Sequence, residues 1–481
     1  MNILFVSTEY RPFVKAGGLG DAVSDLARSL ARLGAQVYCV VPRYGSIDPT
    51  ALEATPIALP TPDCTGKRWA GLSRTEHQGV QMLFVEHDEL FGHRDGIYGD
   101  GPAHGYQDNL RRFAVLSRAA LEACLALELQ PQIVHAHDWH SALVPFLMKR
   151  DYASTTLGRA ASVLGVHNLG YQGEFPLDQA CQSGFDAAHL VASGLTHQNQ
   201  LNLMAGGIRY VDRVVAVSPR YAQEIQQPRY GHGLHRTVQE RGSDVLGIVN
   251  GIDDRTWNPA DDAALPAHFS ADRMEGKRAC KRALQAEMGL EQDDSVVLIG
   301  LVSRLVEQKG IEALFAGPEA ALPRVLATLP AQVVLLGSGE AWAQERIAAL
   351  NREYPQFAAK IGYDDGLAHR IEAGCDLFLM PSVWEPCGLN QMYSMRYGTV
   401  PVVTRTGGLV DTVDSETGFF ANESTPDEVY RAVARAVDRY YAQPEAFRAM
   451  QQTGMRRDFS WDRSARAYLD LYRSLAQAVE R

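Results

Sequence analysis

Short apolar segments alternate with longer amphipathic segments along most of this chain, and this alternation restricts its fold more than any other feature. Residues 2–7 form an apolar run of the kind that builds a strand buried on both faces. Val23, Leu26, Leu30 and Leu33 then recur at helical spacing. Strands that alternate with helices form βαβ units, so the pattern predicts parallel sheets covered by helices, the α/β class.

The alternation occurs twice, which predicts two doubly wound α/β domains. Because a single hydrophobic core rarely grows past roughly 250–300 residues, a length of 481 residues agrees with two domains. We expect domains at residues 1–250 and 251–457, followed by an amphipathic helix within residues 458–481. The predicted strands are 2–7, 36–41, 80–85, 133–136, 161–166 and 213–217 in the first half, and 295–302, 332–336, 361–363, 376–380 and 400–404 in the second. Long helices are predicted at 110–127 and 342–354.

Composition excludes several classes of protein. With 46% hydrophobic and 21% charged residues, the chain is neither disordered, collagenous nor a coiled coil. Its net charge of −11 argues against a nucleic-acid or membrane-surface binder. The seven cysteines are scattered and form no Cys-x-x-Cys, which disfavours a disulfide framework or zinc knuckle. No apolar run is long enough to span a bilayer, and the first residues predict a buried strand and no signal peptide, so we expect a cytoplasmic protein.

A glycine-rich loop with a lysine follows the first predicted strand. Lys15, Gly18 and Asp21 lie in the loop of residues 15–21, which opens a helix. Glycines there let backbone N–H groups approach a phosphate, and a helix N-terminus favours an anion. The loop is neither Gly-x-Gly-x-x-Gly nor a Walker loop, so dinucleotide and P-loop functions lose support. The alternative is a tight strand–helix turn with an exposed lysine.

Three histidines and an aspartate follow another strand, at His135, His137, Asp138 and His140. They suggest a metal site, but residues alternate across a strand, so a third ligand would have to come from a loop. A polar site for sugar hydroxyls, or histidines bonded within the core, fits the spacing better. His167 ends the next strand, and ligands of open α/β sheets bind at strand carboxyl ends.

The first strand of the second half is followed by two cations five residues apart, Arg304 and Lys309. Arg304 can bind phosphate oxygens as a fork and Lys309 as a point charge, so the pair suits a diphosphate. The alternative is a solvated loop.

Glu385 ends a later strand, and Cys387, Gly388 and Leu389 lead from it into a helix whose N-terminal amides favour sugar hydroxyls or phosphate. Cys387 has no base near it in sequence, so a role as a thiol nucleophile is disfavoured. A turn that caps the following helix is the favoured alternative.

Anion-binding loops therefore occur at strand ends in both halves. The geometry that this predicts is two sheets facing one cleft, with a nucleoside diphosphate bound mainly to the second half and an acceptor bound to the first. A further glycine loop contains Thr406, Gly407 and Gly408.

Together these motifs resemble those of the bacterial members of the starch and glycogen synthase family of retaining glucosyltransferases. The resemblance runs nearly end to end, and the order and spacing of the motifs are more specific than any one of them. It implies the GT-B fold, in which two Rossmann-like domains face a central cleft and a C-terminal helix crosses back to the N-terminal domain. The landmarks are residues 15–21, 135–140, 166–173, 250–253, 257–259, 303–310, 385–389, 406–409 and 458–461.

The resemblance implies an activity and its partners. Family members transfer glucose from a nucleotide sugar, generally ADP-glucose in bacteria, to the non-reducing end of an α-1,4-glucan such as glycogen. They retain the anomeric configuration and need no metal or other cofactor. Neither a nucleic acid nor a membrane is implied as a partner.

The resemblance also implies roles for individual residues. Lys15, Arg304 and Lys309 would hold the diphosphate and stabilise its charge as it leaves. Glu385 would contact the donor glucose near the reacting centre, and the backbone carbonyl of His167 would steady positive charge on the sugar. Asp21 would lie near the nucleotide, Asp138 and Asn250 would bind sugars, and Tyr363 would stack on adenine. Remaining donor contacts would come from Gly18, Cys387, Gly388, Leu389, Thr406, Gly407 and Gly408.

The chain departs from the usual family pattern at Ala205, Val383 and Asn390. The first two changes each remove a charge near the expected donor site, which bears on nucleotide preference. Rival functions are a related transferase that uses UDP-glucose or makes a small glucoside, a phosphorylase, and a catalytically idle glucan-binding protein. The idle alternative is disfavoured because every charged residue that catalysis would need is present.

Overall fold

The chain divides into two compact units in the computed structural model, which describes residues 1–63, 66, 68–94, 96–101 and 104–480. Unit 1 comprises Met1–Gly251 and Trp461–Arg481, and unit 2 comprises Ile252–Ser460. Both are built from sheets with helices packed on them, which confirms the predicted α/β class.

The first stretch of unit 1, Met1–Gly251, contains the strands β1–β14 and the helices α1–α7. Its strands are β1 Asn2–Val6, β2 Gln36–Pro42, β3 Glu53–Pro60, β4 Trp69–His77, β5 Val80–Glu86, β6 Gly99–Gly101, β7 His104–Gly105, β8 Ile133–His137, β9 Ala161–Val166, β10 Glu174–Phe175, β11 Thr196–His197, β12 Gln200–Asn202, β13 Arg213–Ala216 and β14 Val245–Gly247. Its helices are α1 Gly18–Arg32, α2 Asn109–Ala126, α3 Leu143–Arg150, α4 Ala187–Ala192, α5 Leu203–Tyr210, α6 Pro219–Glu224 and α7 His235–Gln239.

Nine of these strands form one sheet in the order β14-β13-β9-β8-β1-β2-β5-β4-β3. From β14 to β5 every neighbouring pair is parallel. Ile3 and Val6 of the central strand are fully buried, as expected for an apolar run with helices on both faces. The carboxyl ends of the parallel strands therefore share one edge, and that edge carries His137 and His167.

One flank of this sheet is antiparallel, so the prediction of a purely parallel sheet is wrong there. β4 pairs antiparallel with both β3 and β5. Exposed and half-buried residues predominate in β3, so it lacks the continuous apolar run by which the other strands were found. Gln78 and Gly79, both with positive φ, turn the chain between β4 and β5. That conformation is the one that a two-residue hairpin requires, here with Gln in place of the usual Asn or Asp.

The last helix of the chain, α17 at Trp461–Glu480, packs in unit 1 against α1, β8 and β9. Its buried face carries Tyr468 and Tyr472, and the Tyr472 hydroxyl lies 2.7 Å from Nδ1 of His135. At its start, Arg32 of α1 donates a hydrogen bond of 2.7 Å to Asp462. The apolar stripe of this amphipathic helix is thus covered by the first domain's sheet and helix.

Unit 2 is a second sheet of six strands in the order β17-β16-β15-β18-β19-β20, all parallel. Separate apolar clusters fill its two faces. Its strands are β15 Val297–Leu305, β16 Ala331–Gly339, β17 Phe357–Ile361, β18 Leu377–Met380, β19 Val400–Thr404 and β20 Phe419–Ala421. Its helices are α8 Glu275–Glu287, α9 Ile311–Phe315, α10 Ala321–Thr328, α11 Ala341–Glu353, α12 Asp365–Gly374, α13 Asn390–Arg396, α14 Gly407–Thr412, α15 Pro426–Ala442 and α16 Pro444–Arg456.

The strand predicted at residues 361–363 is wrong. The strand β17 ends at Ile361, and Gly362, with a φ of +138°, turns the chain away from the sheet. Tyr363 lies in the following loop with its side chain 85% exposed. Its apolar neighbour Ile361 is itself exposed, so the apolar signal at this point did not mark the core.

Six of the seven cysteines lie in the described part of the chain, and none of the six forms a disulfide; Cys64 lies outside the described residues. No helix in the described part combines the length and apolar character needed to span a bilayer.

A buried ion pair fixes α8 to the edge of β18 and β15. Asp376 accepts hydrogen bonds from Lys281 Nζ at 2.7 Å and from the backbone N–H of Leu298 at 2.9 Å. Lys281 is only 4% exposed. Removing the carboxylate would leave that ammonium buried without its counter-charge, which is far more costly than losing a surface pair.

We predict that Asp376→Ala lowers the free energy of unfolding by about 3–5 kcal/mol, because Lys281 is left uncompensated in the core. The matched control is Arg282→Ala on the same helix, which loses a solvent-exposed pair with Asp294 and should leave the unfolding midpoint nearly unchanged. Urea unfolding followed by circular dichroism measures both. Equal losses in the two variants would contradict the role given to Asp376.

Candidate active site

In unit 2, most of the predicted site residues lie on three loops that follow β15, β18 and β19, and these loops are bonded to one another. The backbone N–H of Val383 donates to the carbonyl of Gln308 at 2.9 Å, and that of Gly408 donates to the carbonyl of Glu385 at 3.0 Å. The hydroxyl of Thr404 donates to the carbonyl of Ser382 at 2.5 Å. Parallel strands thus bring together, at one sheet edge, loops that are far apart in sequence.

Lys309 and Glu385 form an ion pair at this edge. Nζ of Lys309 lies 2.5 Å from Oε2 of Glu385, and the hydroxyl of Ser382 donates to the same oxygen at 2.9 Å. The side chain of Glu385 is 7% exposed and that of Lys309 is 19% exposed. Because both bonds go to Oε2, the other carboxylate oxygen accepts no hydrogen bond from the described residues.

Two glycines are required for this close approach of loops. Gly310 has a φ of +76°, and a Cβ there would lie 2.0 Å from the carbonyl oxygen of Pro381. Gly407 has a φ of +43°, and a Cβ there would lie 1.9 Å from the carbonyl oxygen of Glu385. Only glycine fits such contacts, so the backbone itself holds Glu385 at the sheet edge.

The remaining predicted residues of unit 2 lie at or after the carboxyl ends of strands of the same sheet. Arg304, expected in a loop, lies inside β15 because this strand continues to Leu305. Its exposed guanidinium makes no ion pair or hydrogen bond with the described residues and is available to an anion. Tyr363 is also exposed, with its hydroxyl 3.3 Å from Oδ1 of Asp365. Cys387 is 5% exposed, which does not suit an attacking thiolate. Gly388, at a φ of +72°, and Leu389 precede α13, while Thr406 precedes α14.

In unit 1, the loop of residues 15–21 is held by charges. Nζ of Lys15 lies 2.5 Å from Oδ2 of Asp21, and Nε of Arg11 lies 3.1 Å from Oδ1 of the same carboxylate. Arg11 also contacts Asp25 of α1. Lys15 remains 42% exposed, so its ammonium is partly open to solvent.

A buried glutamate that the sequence analysis missed organises the same loop. Oε2 of Glu9 accepts the backbone N–H groups of Ala16 at 2.7 Å and Gly17 at 3.0 Å. Oε1 accepts the hydroxyl of Tyr98 at 2.5 Å. These two amides, expected to face a phosphate, are therefore occupied by a carboxylate of the protein. Gly18, the first residue of α1, has no side-chain cap before it, so the open helix amides begin there.

Asp138 positions the loop that carries His167. Its carboxylate accepts the backbone N–H groups of His167 at 2.8 Å and Asn168 at 3.4 Å. Asp138 has a φ of +56°, uncommon for a residue with a side chain and typical of functional sites. Burial raises the pKa of this carboxyl to about 7, although both amides favour its ionised form.

Of the four histidines of this region, His135, His137 and His140 are buried and His167 is half-buried, and all four are uncharged near neutral pH. On β8, the rings of His135 and His137 are centred 4.0 Å apart and tilted by 34°, and Nδ1 of His137 lies 3.2 Å from Nε2 of His167. Burial lowers the pKa of His167 to about 4 and that of His140 to about 3. Burial also holds the pKa values of His135 and His137 well below 6.5.

The structure thus brings three pairs of predicted residues into contact: Lys309 with Glu385, Lys15 with Asp21, and Asp138 with His167. Asn250 is buried near the end of the first stretch of unit 1. Within the described ranges, no group of three or more His, Cys, Asp or Glu side chains is arranged to hold a metal ion.

Comparison with known proteins decides the family. Residues 2–240 match the starch synthase catalytic domain, and residues 296–439 match the glycosyl transferases group 1 domain. The glycogen synthase of Anaeromyxobacter sp. (strain Fw109-5) is 46% identical over 99% of this chain and 100% of its own length. The chain belongs to the starch and glycogen synthase family. The glycogen synthase of Treponema denticola is 37% identical over 100% of this chain and 99% of its own length.

Solved structures agree with this family and confirm the predicted GT-B class. The catalytic domain of starch synthase IV from Arabidopsis thaliana, bound to ADP and acarbose, has a TM-score of 0.88 and 32% identity, covering 99% of each chain. Sucrose-phosphate synthase from Thermosynechococcus elongatus has a TM-score of 0.61 at 19% identity and shows the fold alone. The family identification also confirms the predicted enzyme class, a glucosyltransferase.

The buried histidines of this glucosyltransferase should make it sensitive to acid. Each binds a proton near pH 6.5 when the chain is unfolded but not until a lower pH when it is folded, so its stabilising contribution is present above pH 6.5 and lost as the pH falls. Asp138, with a raised pKa, opposes this trend between about pH 4 and 7. The stability lost by protonating four histidines exceeds the stability gained by protonating one carboxyl. This region should therefore lose stability as the pH falls below 6.5.

We predict that His140→Phe reduces the loss of unfolding free energy between pH 7 and pH 5 by about 2 kcal/mol, because the histidine contributes about 1.36 kcal/mol per pH unit below 6.5. His140 stacks on Tyr98 and its Nδ1 has no hydrogen-bond partner among the described residues, so phenylalanine keeps the ring contact. The matched control is the exposed His93→Phe. Urea unfolding at both pH values measures the difference, and parallel pH profiles for His140→Phe and the parent would contradict it.

Proposed function

We propose that this enzyme transfers glucose from ADP-glucose to the non-reducing end of an α-1,4-glucan such as glycogen, with retention of configuration. The observation that supports this most is the Lys309–Glu385 pair, with the exposed Arg304 near the end of the neighbouring strand β15, in a chain of this family. Such a site offers cations for a diphosphate next to a carboxylate for a sugar. Among the similar structures, the plant starch synthase was solved with ADP and acarbose.

The cations of unit 2 would stabilise the leaving diphosphate. A lysine ammonium has three donors, and Glu385 takes one from Lys309, so two remain for phosphate oxygens. Arg304 would add a planar fork suited to two phosphate oxygens. Charges held in place before the reaction stabilise the negative charge that develops as the bond to glucose breaks. Lys15 of unit 1 is proposed to contribute to the same diphosphate.

Glu385 and His167 would act on the glucose itself. The oxygen of Glu385 that Lys309 and Ser382 do not use can accept a sugar hydroxyl near the reacting carbon. His167 is neutral near pH 7 because burial lowers its pKa to about 4, so it adds no positive charge next to a sugar that is itself becoming positive. We propose that its backbone carbonyl faces that sugar. Since the leaving diphosphate can take the proton of the acceptor hydroxyl, retention needs no second carboxylate.

Other contacts complete the proposal. Tyr363 would stack on adenine, which its 85% exposure permits, and Asp138 and Asn250 would bind sugar hydroxyls. The proposed enzyme needs no metal, acts on glycogen in the cytoplasm, and uses neither a membrane nor a nucleic acid as a partner. Further donor contacts are proposed for Gly18, Asp21, Cys387, Gly388, Leu389, Thr406, Gly407 and Gly408.

We predict that the protein incorporates labelled glucose into glycogen from ADP-glucose, that EDTA leaves the rate unchanged, and that Glu385→Gln lowers kcat by a factor on the order of 10² to 10³. The loss follows because glutamine keeps the size of the side chain but removes the charge near the reacting sugar. Glu353→Gln, at the exposed end of α11, is the matched control and should keep full activity.

UDP-glucose is assayed alongside ADP-glucose. Incorporation from UDP-glucose alone would contradict the proposed donor and direct attention to Val383 and Asn390. No incorporation from either donor would contradict the proposed reaction, and loss of activity in EDTA would contradict metal independence.

A further inference from the structure

The loop that follows His167 is anchored on both sides of one exposed aromatic ring. Before the ring, Leu169 is fully buried, and its backbone N–H donates to the hydroxyl of Tyr221 at 2.9 Å. After the ring, Gln172 is 6% exposed, and its amide donates to the carbonyl of Leu169 at 3.1 Å. Tyr171, between them, is 60% exposed. The loop is therefore rigid while its tyrosine points away from the core.

Gly173 and its neighbours fix the far end of the loop. Gly173 has a φ of +65°, and a Cβ there would lie 2.3 Å from the ring of Trp139. Its carbonyl accepts the backbone N–H of Leu203 at the start of α5, at 3.1 Å. The side-chain oxygen of Gln172 accepts the amide of Asn202 at 2.7 Å. Such anchoring lowers the entropy that Tyr171 would lose when a ligand packs on its ring.

A second ring is tied to the same loop. The amide of Gln172 donates to the carbonyl of His232 at 2.8 Å, and a Cβ on Gly170 would lie 3.7 Å from the imidazole of His232. His232 is exposed and has a φ of +45°, an uncommon conformation for a residue with a side chain. The buried Gln172 thus holds two exposed rings, those of Tyr171 and His232, on adjoining loops.

The loop that carries Tyr171 continues directly from the proposed reaction site of unit 1. Tyr171 is four residues beyond His167, whose backbone N–H is bonded to Asp138. Partial loss of solvent contact lowers the pKa of His232, so this imidazole is neutral near pH 7. Two uncharged rings on anchored, adjoining loops suit the apolar face of a neutral sugar better than a charged ligand.

We propose that Tyr171, with His232 beside it, is the stacking platform for the acceptor end of the α-glucan. The inference rests on the proposed function, because it takes the acceptor to be a neutral glucan. The tyrosine ring packs against a glucose unit, and the anchored loop sets that unit in register with His167 and Asp138. Tyr171 is therefore a determinant of acceptor binding and takes no part in donor binding.

The test is the binding of maltoheptaose to the whole chain, measured by saturation-transfer NMR titration, together with KM and kcat in the transfer assay. Tyr171→Ala should weaken maltoheptaose binding and raise the acceptor KM by about tenfold, while the KM for ADP-glucose changes less than about twofold. Tyr171→Phe keeps the ring and should restore both values. His232→Asn, which tolerates the positive φ, should show a smaller loss in the same direction.

Trp69→Ala is the matched control. Trp69 is 57% exposed in the same unit but begins β4, which four strands separate from β9 in the sheet, and its replacement should leave maltoheptaose binding unchanged. Unchanged binding and acceptor KM in Tyr171→Ala would overturn the platform, as would a parent protein that binds no maltoheptaose, or a fall in kcat alone. If the parent binds maltoheptaose through Tyr171 yet transfers no glucose from ADP-glucose, the proposed function fails and the platform stands.

Discussion

The ion pair between Lys309 and Glu385 is the interaction on which the proposed donor site of this enzyme depends. The two residues are 76 positions apart in sequence, and they meet because parallel strands end at one edge of the sheet of unit 2. The glycines at 310 and 407 allow the loops to pack at distances that no side chain would permit. In the proposed function, the pair sets the lysine for a diphosphate and the glutamate for a sugar before either ligand binds.

Unit 1 uses buried carboxylates for a related purpose. Glu9 bonds the amides of the glycine loop, and Asp138 bonds the amides at His167 and Asn168. Burying a backbone N–H group without a hydrogen-bond partner costs free energy. By accepting these N–H groups, each carboxylate fixes one loop at the end of a strand. The rigid loop beyond His167 then presents Tyr171 to solvent, which links the anchoring of the backbone to the proposed recognition of the glucan.

Much of this could be predicted from sequence because buried parallel strands are apolar runs, and the loops that follow them share one edge. Arg304, Lys309, Glu385 and His167 were placed at strand ends for that reason. The contact between Glu9 and Tyr98, 89 residues apart, could not be predicted, since no periodicity connects a strand end to a remote loop. The antiparallel flank was not predicted because half-buried and exposed residues predominate in β3. Tyr363 was wrongly assigned to a strand because the nearby Ile361 is apolar but exposed.

The central claim is that Lys309 is an anion anchor held by Glu385, and ADP binding to single-residue variants tests it most directly. Isothermal titration calorimetry should show that Lys309→Ala weakens ADP binding by about tenfold or more, because a charge-assisted hydrogen bond to the diphosphate is lost. Glu385→Gln should bind ADP as tightly as the parent or more tightly, because the ammonium is released from its carboxylate. If Glu385→Gln weakens ADP binding as much as Lys309→Ala does, the pair serves only to hold the fold and the account is wrong.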